Sequence, residues 1–298
     1  MRLAAIVMQK DESEILPVWL RYYASLCGGY EHLYVFDDDS TDTETLELLG
    51  LAEKEGVNIE VSRGRWSHPE KGLLFSELIH RLGAAYDWYL PIDCDELVCA
   101  IVEGLPTISR AKIIQEIERA AIGGGSVFRI DTAFFNIPHT TTVYEQETKK
   151  VAVRATDEPI DIDAGLHMYD WWALRDTVPP DKIGPSMLGH IHFHNRPYPL
   201  ALKMAREKLK FCVPDFKPET ISAHTGAMFH LKWLFEIDER DYPNCFNPPN
   251  RIDISREFAS LGLEIPYSGP PRLMTAAEKQ ALTDPVNTWR NGYPRVQT

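Results

Sequence analysis

The sequence is short of several things. Its 298 residues include 5 cysteines, an odd number, scattered at positions 27, 94, 99, 212 and 245. No two form a C-x-x-C pair, which argues against a disulfide framework and points to a reducing, cytoplasmic setting. No apolar run approaches the roughly 20 residues that span a bilayer; Leu3–Met8 is typical of the longest. Positive charge is also scarce, with 31 Lys+Arg against 44 Asp+Glu and a formal net charge of -13. A broad nucleic-acid interface needs a basic surplus and is therefore not expected, although a local basic pocket for one phosphorylated ligand is compatible with this balance. Met1-Arg2 leads straight into an apolar run and then Gln9-Lys10-Asp11-Glu12, with no cleavage-type site, so no signal peptide is expected. Internal repeats, low-complexity tracts and Gly/Ser linkers are missing too.

What is present is an alternation of strand and helix signals. Leu3–Met8 is a continuous apolar run, as in a strand buried on both faces. A helix follows through Pro17, with Ile15, Trp19, Tyr22, Tyr23 and Leu26 at helical spacing and Gly28-Gly29 closing it. His32–Phe36 reads as a strand, Glu44–Glu55 as a helix begun at Thr41/Asp42, Val57–Ser62 as a strand, Leu73–Tyr86 as a helix and Trp88–Ile92 as a strand. This order predicts an α/β fold with a mostly parallel sheet flanked by helices, in which ligands sit beyond the carboxyl ends of the strands. Further on, the pattern predicts a helix over Pro106–Ala121, strands at Val127–Ile130, Val151–Arg154 and Ile191–His194, a basic helix over Leu200–Phe211, and helical stretches in a proline-containing tail at His224–Ile237 and Ala276–Leu282. The expected organisation is a catalytic unit over 1–211 and a helical, irregular extension over 212–298.

Two acidic clusters fall at strand ends. In Asp93-Cys94-Asp95-Glu96 an extended backbone would turn Asp93 and Asp95 to one side, where two repelling carboxylates call for a cation. Hard oxygen ligands favour Mg²⁺ or Mn²⁺, ions that commonly complete their shell with substrate phosphates. A solvated acidic turn would look the same in sequence. Asp37-Asp38-Asp39 precedes a helix-capping segment; a cap explains Ser40–Asp42 but not three consecutive acids, and a carboxylate there can accept hydrogen bonds from a nucleoside. His190, His192 and His194 alternate along one strand and could form a three-histidine zinc site, or serve as hydrogen-bonded structural groups. Lys71, Arg154, Arg196, Lys203 and Arg206 are the cations available to a diphosphate, and Tyr169 with Trp171-Trp172 could line a sugar site or simply pack.

Taken in order, Lys10-Asp11-Glu12 with Leu16, Trp19, Leu20 and Tyr22, then Val35–Thr43, then Asp87–Leu97, resembles the family 2-like glycosyltransferases of GT-A fold. The branch related to glycosyltransferase family 92 is the most similar, through Lys149–Arg154, Gly165-Leu166-His167 and His192-Phe193 with Arg196 and Lys203. The resemblance spans about residues 3–210. It implies a Rossmann-like GT-A sheet, a nucleotide-sugar donor of the UDP-sugar type, Mn²⁺ or Mg²⁺, and a hydroxyl acceptor on a glycan or glycoconjugate. Carried over by position, Asp37 and Asp38 would hold the nucleoside; Asp93 and Asp95, with Glu96 beside them, the metal and diphosphate; His167 or His192 would complete the metal shell; Arg196 and Lys203 would meet the phosphates, with Lys71 from the pool of available cations as a further phosphate contact. Asp39 stands where Gly or Asn is usual in that family. Asp131, Glu158, Asp161 and Asp170 are equal candidates for a general base. The competing readings are a zinc hydrolase built on His190, His192 and His194, and a sugar- or nucleotide-binding module without turnover.

Overall fold

The computed structural model describes residues 1–61, 68–122, 127–154, 162, 165–166 and 183–269. His167, Glu158, Asp161, Asp170, Tyr169, Trp171, Trp172 and the helix expected over 276–282 lie outside them.

The α/β architecture is the expected one. Among the described residues a single sheet contains β1 (Leu3–Gln9), β2 (Leu33–Asp37), β3 (Asn58–Val61), β4 (Trp88–Pro91), β5 (Glu96–Val102), β6 (Leu105–Thr107), β7 (Val127–Asn136), β8 (Thr142–Arg154), β9 (Ile183–Pro185), β10 (Leu188–His192) and β11 (Ile252–Asp253). The spatial order is β3-β2-β1-β4-β8-β7-β10-β5-β6, with β11 on β8 and β9 on β7. Strands β3, β2, β1 and β4 are parallel. β8 runs against β4 and β7, and β5 against β10. The carboxyl ends of β1, β2, β4 and β10, together with the amino end of β5, therefore share one edge of the sheet.

All seven residues of β1 are buried, because both faces of the sheet are covered. Leu3, Ala5 and Val7 join one apolar cluster, while Ala4, Ile6 and Met8 join another on the opposite face. On the first side lie α1 (Leu16–Cys27), α2 (Thr43–Lys54) and α4 (Arg110–Ala121), through Trp19, Leu48, Ile113 and Ile117. α3 (His68–Leu82) covers the second through Phe75, Leu78 and Ile79. α1 ends at Gly28, whose φ of 99° is left-handed and whose N–H bonds the Ala24 carbonyl. Asp42 caps α2, its carboxylate accepting from the Thr45 amide at 2.9 Å. Asp39 has a φ of 58°, the left-handed backbone that Gly or Asn adopts most easily.

A third cluster joins α5 (Tyr198–Leu209) to the segment after it, which holds the short helix α6 (Pro218–Ala223) and 3-10 turns at Phe229–Phe235 and Tyr242–Cys245. The helix expected over 224–237 is thus a shorter 3-10 segment. α7 (Ser255–Ser260) returns to the main core through Phe258. No helix among the described residues is long and apolar enough to cross a membrane.

β5, which the apolar run after Asp95 did not reveal, is anchored by two fully buried tyrosines of α1. Tyr22 donates its hydroxyl to the Val98 carbonyl. Tyr23 donates to the Glu96 carbonyl at 3.1 Å and accepts from the Val98 amide at 3.0 Å. Replacing Tyr23 with Phe leaves that carbonyl and amide without their buried partner, so Tyr23→Phe is expected to cost about 1–3 kcal/mol in urea unfolding at neutral pH. An unchanged midpoint and slope would show that β5 does not depend on this hydroxyl.

Candidate functional site

Three strands deliver acids to the shared edge. The β4–β5 connection is a turn rather than extended backbone: the Glu96 amide donates to the Asp93 carbonyl at 3.1 Å. The two-residue alternation expected for Asp93 and Asp95 therefore does not apply, and the two carboxylates meet different partners. Asp93 is held by Lys71 and, at 2.6 Å, by Lys150. Asp95 faces His192 Nε2 at 3.6 Å and Arg196 at 3.8 Å. Glu96 lies between them, fully buried, with its Oε1 at 3.3 Å from Lys150, 3.4 Å from His190 Nε2 and 3.6 Å from His192 Nδ1.

These contacts set the charge states. Burial works against all three carboxylates, but the cations outweigh it. Lys150 and Lys71 hold Asp93 below its ordinary value. His192 and Arg196 hold Asp95 well below the usual carboxylate range. Lys150, His190 and His192 do the same for Glu96. His192 moves up: burial opposes its charge, yet Asp95 and Glu96 more than compensate. Fully buried His190 moves down, with burial as the main cause.

The Asp37 cluster is wired to this centre. Asp37 accepts from Gln9 at 2.6 Å and from the Ser40 hydroxyl at 2.5 Å. The Gln9 side-chain oxygen takes the Glu12 amide at 3.4 Å, and Glu12 accepts from Arg196 at 2.9 Å. Arg196 in turn faces Asp95. Asp38 is buried as well, and Lys10 donates to its carbonyl at 2.8 Å. Asp37, Asp93, Asp95, Glu96, Lys71, His192 and Arg196 thus converge, as the strand-end rule anticipates.

Other candidates do not join them. Lys203 is exposed on α5. Lys208, five residues on and roughly 140° around the helix, is the α5 lysine whose charge is coupled to Asp95, Arg196 and Glu12; burial lowers its pKa. Arg154 and Arg206 lie over the Trp88 and Phe235 rings. Asp131 pairs with Arg129 at 2.6 Å.

Sequence reasoning missed Gln9, Glu12, Lys150, Lys208 and Tyr267 as members of this network. Gln9 and Glu12 stand at the end of β1 and were open to the same strand-end argument. The Tyr267 ring lies 6.0 Å from the Arg196 guanidinium, a contact 71 residues away in sequence that carries no local signal.

Two groups of side chains can each bring one ligand atom within 4.8 Å of the others: Asp95 with His192 and His194, and Glu96 with His190 and His192. Asp93 belongs to neither; two ammonium groups already answer its charge. The first group opens outward, with Asp95 at 18% and His192 at 16% side-chain exposure. Its carboxylate and imidazoles suit Mn²⁺ better than the strictly oxygen-seeking Mg²⁺. The three histidines do not converge on one ion among the described residues, which removes the geometric basis of the zinc-hydrolase reading.

Lys150 is the cation this arrangement can least spare. In Lys150→Met the buried Glu96 carboxylate loses its ammonium, with an expected cost of about 3–5 kcal/mol at pH 7. Because Lys150 favours the charged acid, the gap from wild type should be full at neutral pH and shrink as acid protonates Glu96 in the variant. Wild type itself loses this contribution as pH falls below the ordinary glutamate value of 4.5 towards the depressed one. Denaturant titrations at several pH values check it, and a pH-independent gap would contradict the assignment.

No protein-family model matches the sequence, and no curated protein matches it. Solved structures give distant likenesses. S. aureus TarS 1-349 in complex with UDP-GlcNAc is 13% identical, covering 84% of this chain and 74% of that one at a TM-score of 0.40. The mannosyltransferase PcManGT from Pyrobaculum calidifontis in complex with GDP-Man and Mn²⁺ is 14% identical, covering 97% and 83% at 0.36. Against another S. aureus TarS structure, 15% identical with a TM-score of 0.39, 70% of this chain matches, and the chain spans 40% of that protein's length.

Proposed function

We propose that the protein is a metal-dependent glycosyltransferase that moves a sugar from a nucleotide-sugar, of the UDP-sugar type, to a hydroxyl on a glycan or other acceptor. The observation that carries this reading is the gathering of Asp37, Glu12, Asp93, Asp95, Glu96, His192 and Arg196 along one edge of the sheet, at the carboxyl ends of β1, β2, β4 and β10.

Asp95 and His192, with His194 beside them, would hold Mn²⁺ or Mg²⁺; a divalent ion there offsets the charge that grows on a departing diphosphate. Lys71, Arg196 and Lys208 supply further positive charge near the same carboxylates. In this reading Asp93 serves through its two lysines, keeping them placed, rather than as a metal ligand. Asp37 and Asp38 border the nucleoside end, where Asp37 and Ser40 already form a closed turn. Of the extension expected over 212–298, we assign the described part, residues 212–269, to the acceptor side, since Tyr242 donates to the Arg196 carbonyl at 2.8 Å and the Tyr267 ring lies over the Arg196 guanidinium.

Calorimetry with UDP is expected to show binding that requires Mn²⁺ and is lost on adding EDTA. Asp95→Ala should abolish the metal-dependent part while keeping the circular dichroism spectrum and the unfolding midpoint close to wild type. UDP–Mn²⁺ binding by Asp95→Ala at wild-type strength would overturn the proposal.

A further inference from the structure

His192 stands between two carboxylates. Its Nε2 is 3.6 Å from Asp95 Oδ1 on the open side, and its Nδ1 is 3.6 Å from Glu96 Oε1 on the sealed side. A neutral imidazole carries one proton, so only one nitrogen can offer a lone pair to a cation. We propose that Glu96 is a positioning residue that accepts a hydrogen bond from the protonated His192 Nδ1 and thereby presents the Nε2 lone pair to the metal held with Asp95. This rests on the reading of Asp95 and His192 as metal ligands.

Glu96 Oε1 and His192 Nδ1 are both buried, and neither has a hydrogen-bond partner in the resting geometry. A shift of under 1 Å brings them to the ordinary N–H···O distance of about 2.9 Å. The acceptor is placed in advance. Glu96 has no exposure to solvent, its Oε2 lies 3.3 Å from the Asp93 amide, and Lys150 and His190 flank its Oε1. The imidazole is confined as well: Phe135 meets it edge-on at 4.7 Å, and β10 pairs His192 directly with Glu96. A carboxylate behind a metal-binding histidine fixes its tautomer and raises its basicity.

The rival arrangement is an inner metal site of Glu96, His190 and His192 Nδ1, whose atoms also cluster. Lys150 argues against it. An ammonium 3.3 Å from the same Glu96 oxygen would stand against a divalent ion, and the sealed side offers no exposed ligand.

The test uses the full-length protein labelled with ¹⁵N-histidine, with ¹¹³Cd²⁺ alone as the probe. Long-range ¹H–¹⁵N spectra should show cadmium coupling at His192 Nε2 and a protonated Nδ1. Cadmium coupling at Nδ1, or at His190, would overturn the proposal, and this measurement needs no variant to fold. In addition, Mn²⁺ binding followed by electron paramagnetic resonance should weaken about 10–100-fold in Glu96→Leu. It should weaken less in Glu96→Gln, which retains an acceptor oxygen. A folded Glu96→Leu that binds Mn²⁺ like wild type would also overturn the proposal. Because no nucleotide sugar is present, a failed transferase reading would appear separately, as absent UDP binding with the cadmium pattern intact.

Discussion

Burying an ionised carboxylate costs several kcal/mol unless nearby charges and donors offset it. Glu96 has no exposure at all, so the offset must come from elsewhere in the chain, and its sources account for much of the sheet's second half. Lys150 reaches it because β8 lies against β4. His190 and His192 reach it because β10 pairs with β5 in the register that sets His192 opposite Glu96. The tyrosine hydroxyls of α1 hold the start of β5 from behind. One acid therefore ties together a helix and three strands that are far apart in sequence, and the departure from parallel pairing after β4 is what lets them meet.

The polar groups around it form two levels. The inner level, Glu96 with Lys150 and His190, is nearly dry and charge-balanced, and its side chains have little freedom. The outer level, Asp95 with His192 and His194, is partly open to water. Arg196 and Glu12 bridge from the outer level to the β1–β2 side, where Gln9 and Asp37 continue the network. Electrostatic work at such a site is done by groups that do not have to reorganise when charge appears, and the buried level is what keeps the open level in place.

The first half of the fold was legible because its signals are local: apolar runs for β1, β2 and β4, helical spacing in α1, the Asp42 cap and Gly28. The strand-end rule then placed Asp37, Asp93 and Asp95 at one edge. It failed on finer geometry where the backbone left the strand, since the turn at Asp93–Asp95 gives each acid its own partners. Lys150 sat in a motif quoted for its resemblance, but nothing in its neighbours shows that its ammonium is buried between two acids. Lys203 and Lys208 look alike in sequence, and only the packing of α5 tells the exposed one from the one near Asp95. Long-range partners such as Tyr267 have no sequence period to betray them.

The Glu12–Arg196 pair joins residues 184 positions apart. During synthesis the acids at 12, 95 and 96 leave the ribosome well before the arginine and histidines that neutralise them. The nascent amino-terminal half must therefore carry these carboxylates solvated or protonated, with the Glu96 pocket unsealed. Closure of the centre is in this sense a late event that waits on β10, and ribosomes halted before it would hold a sheet lacking its charge partners.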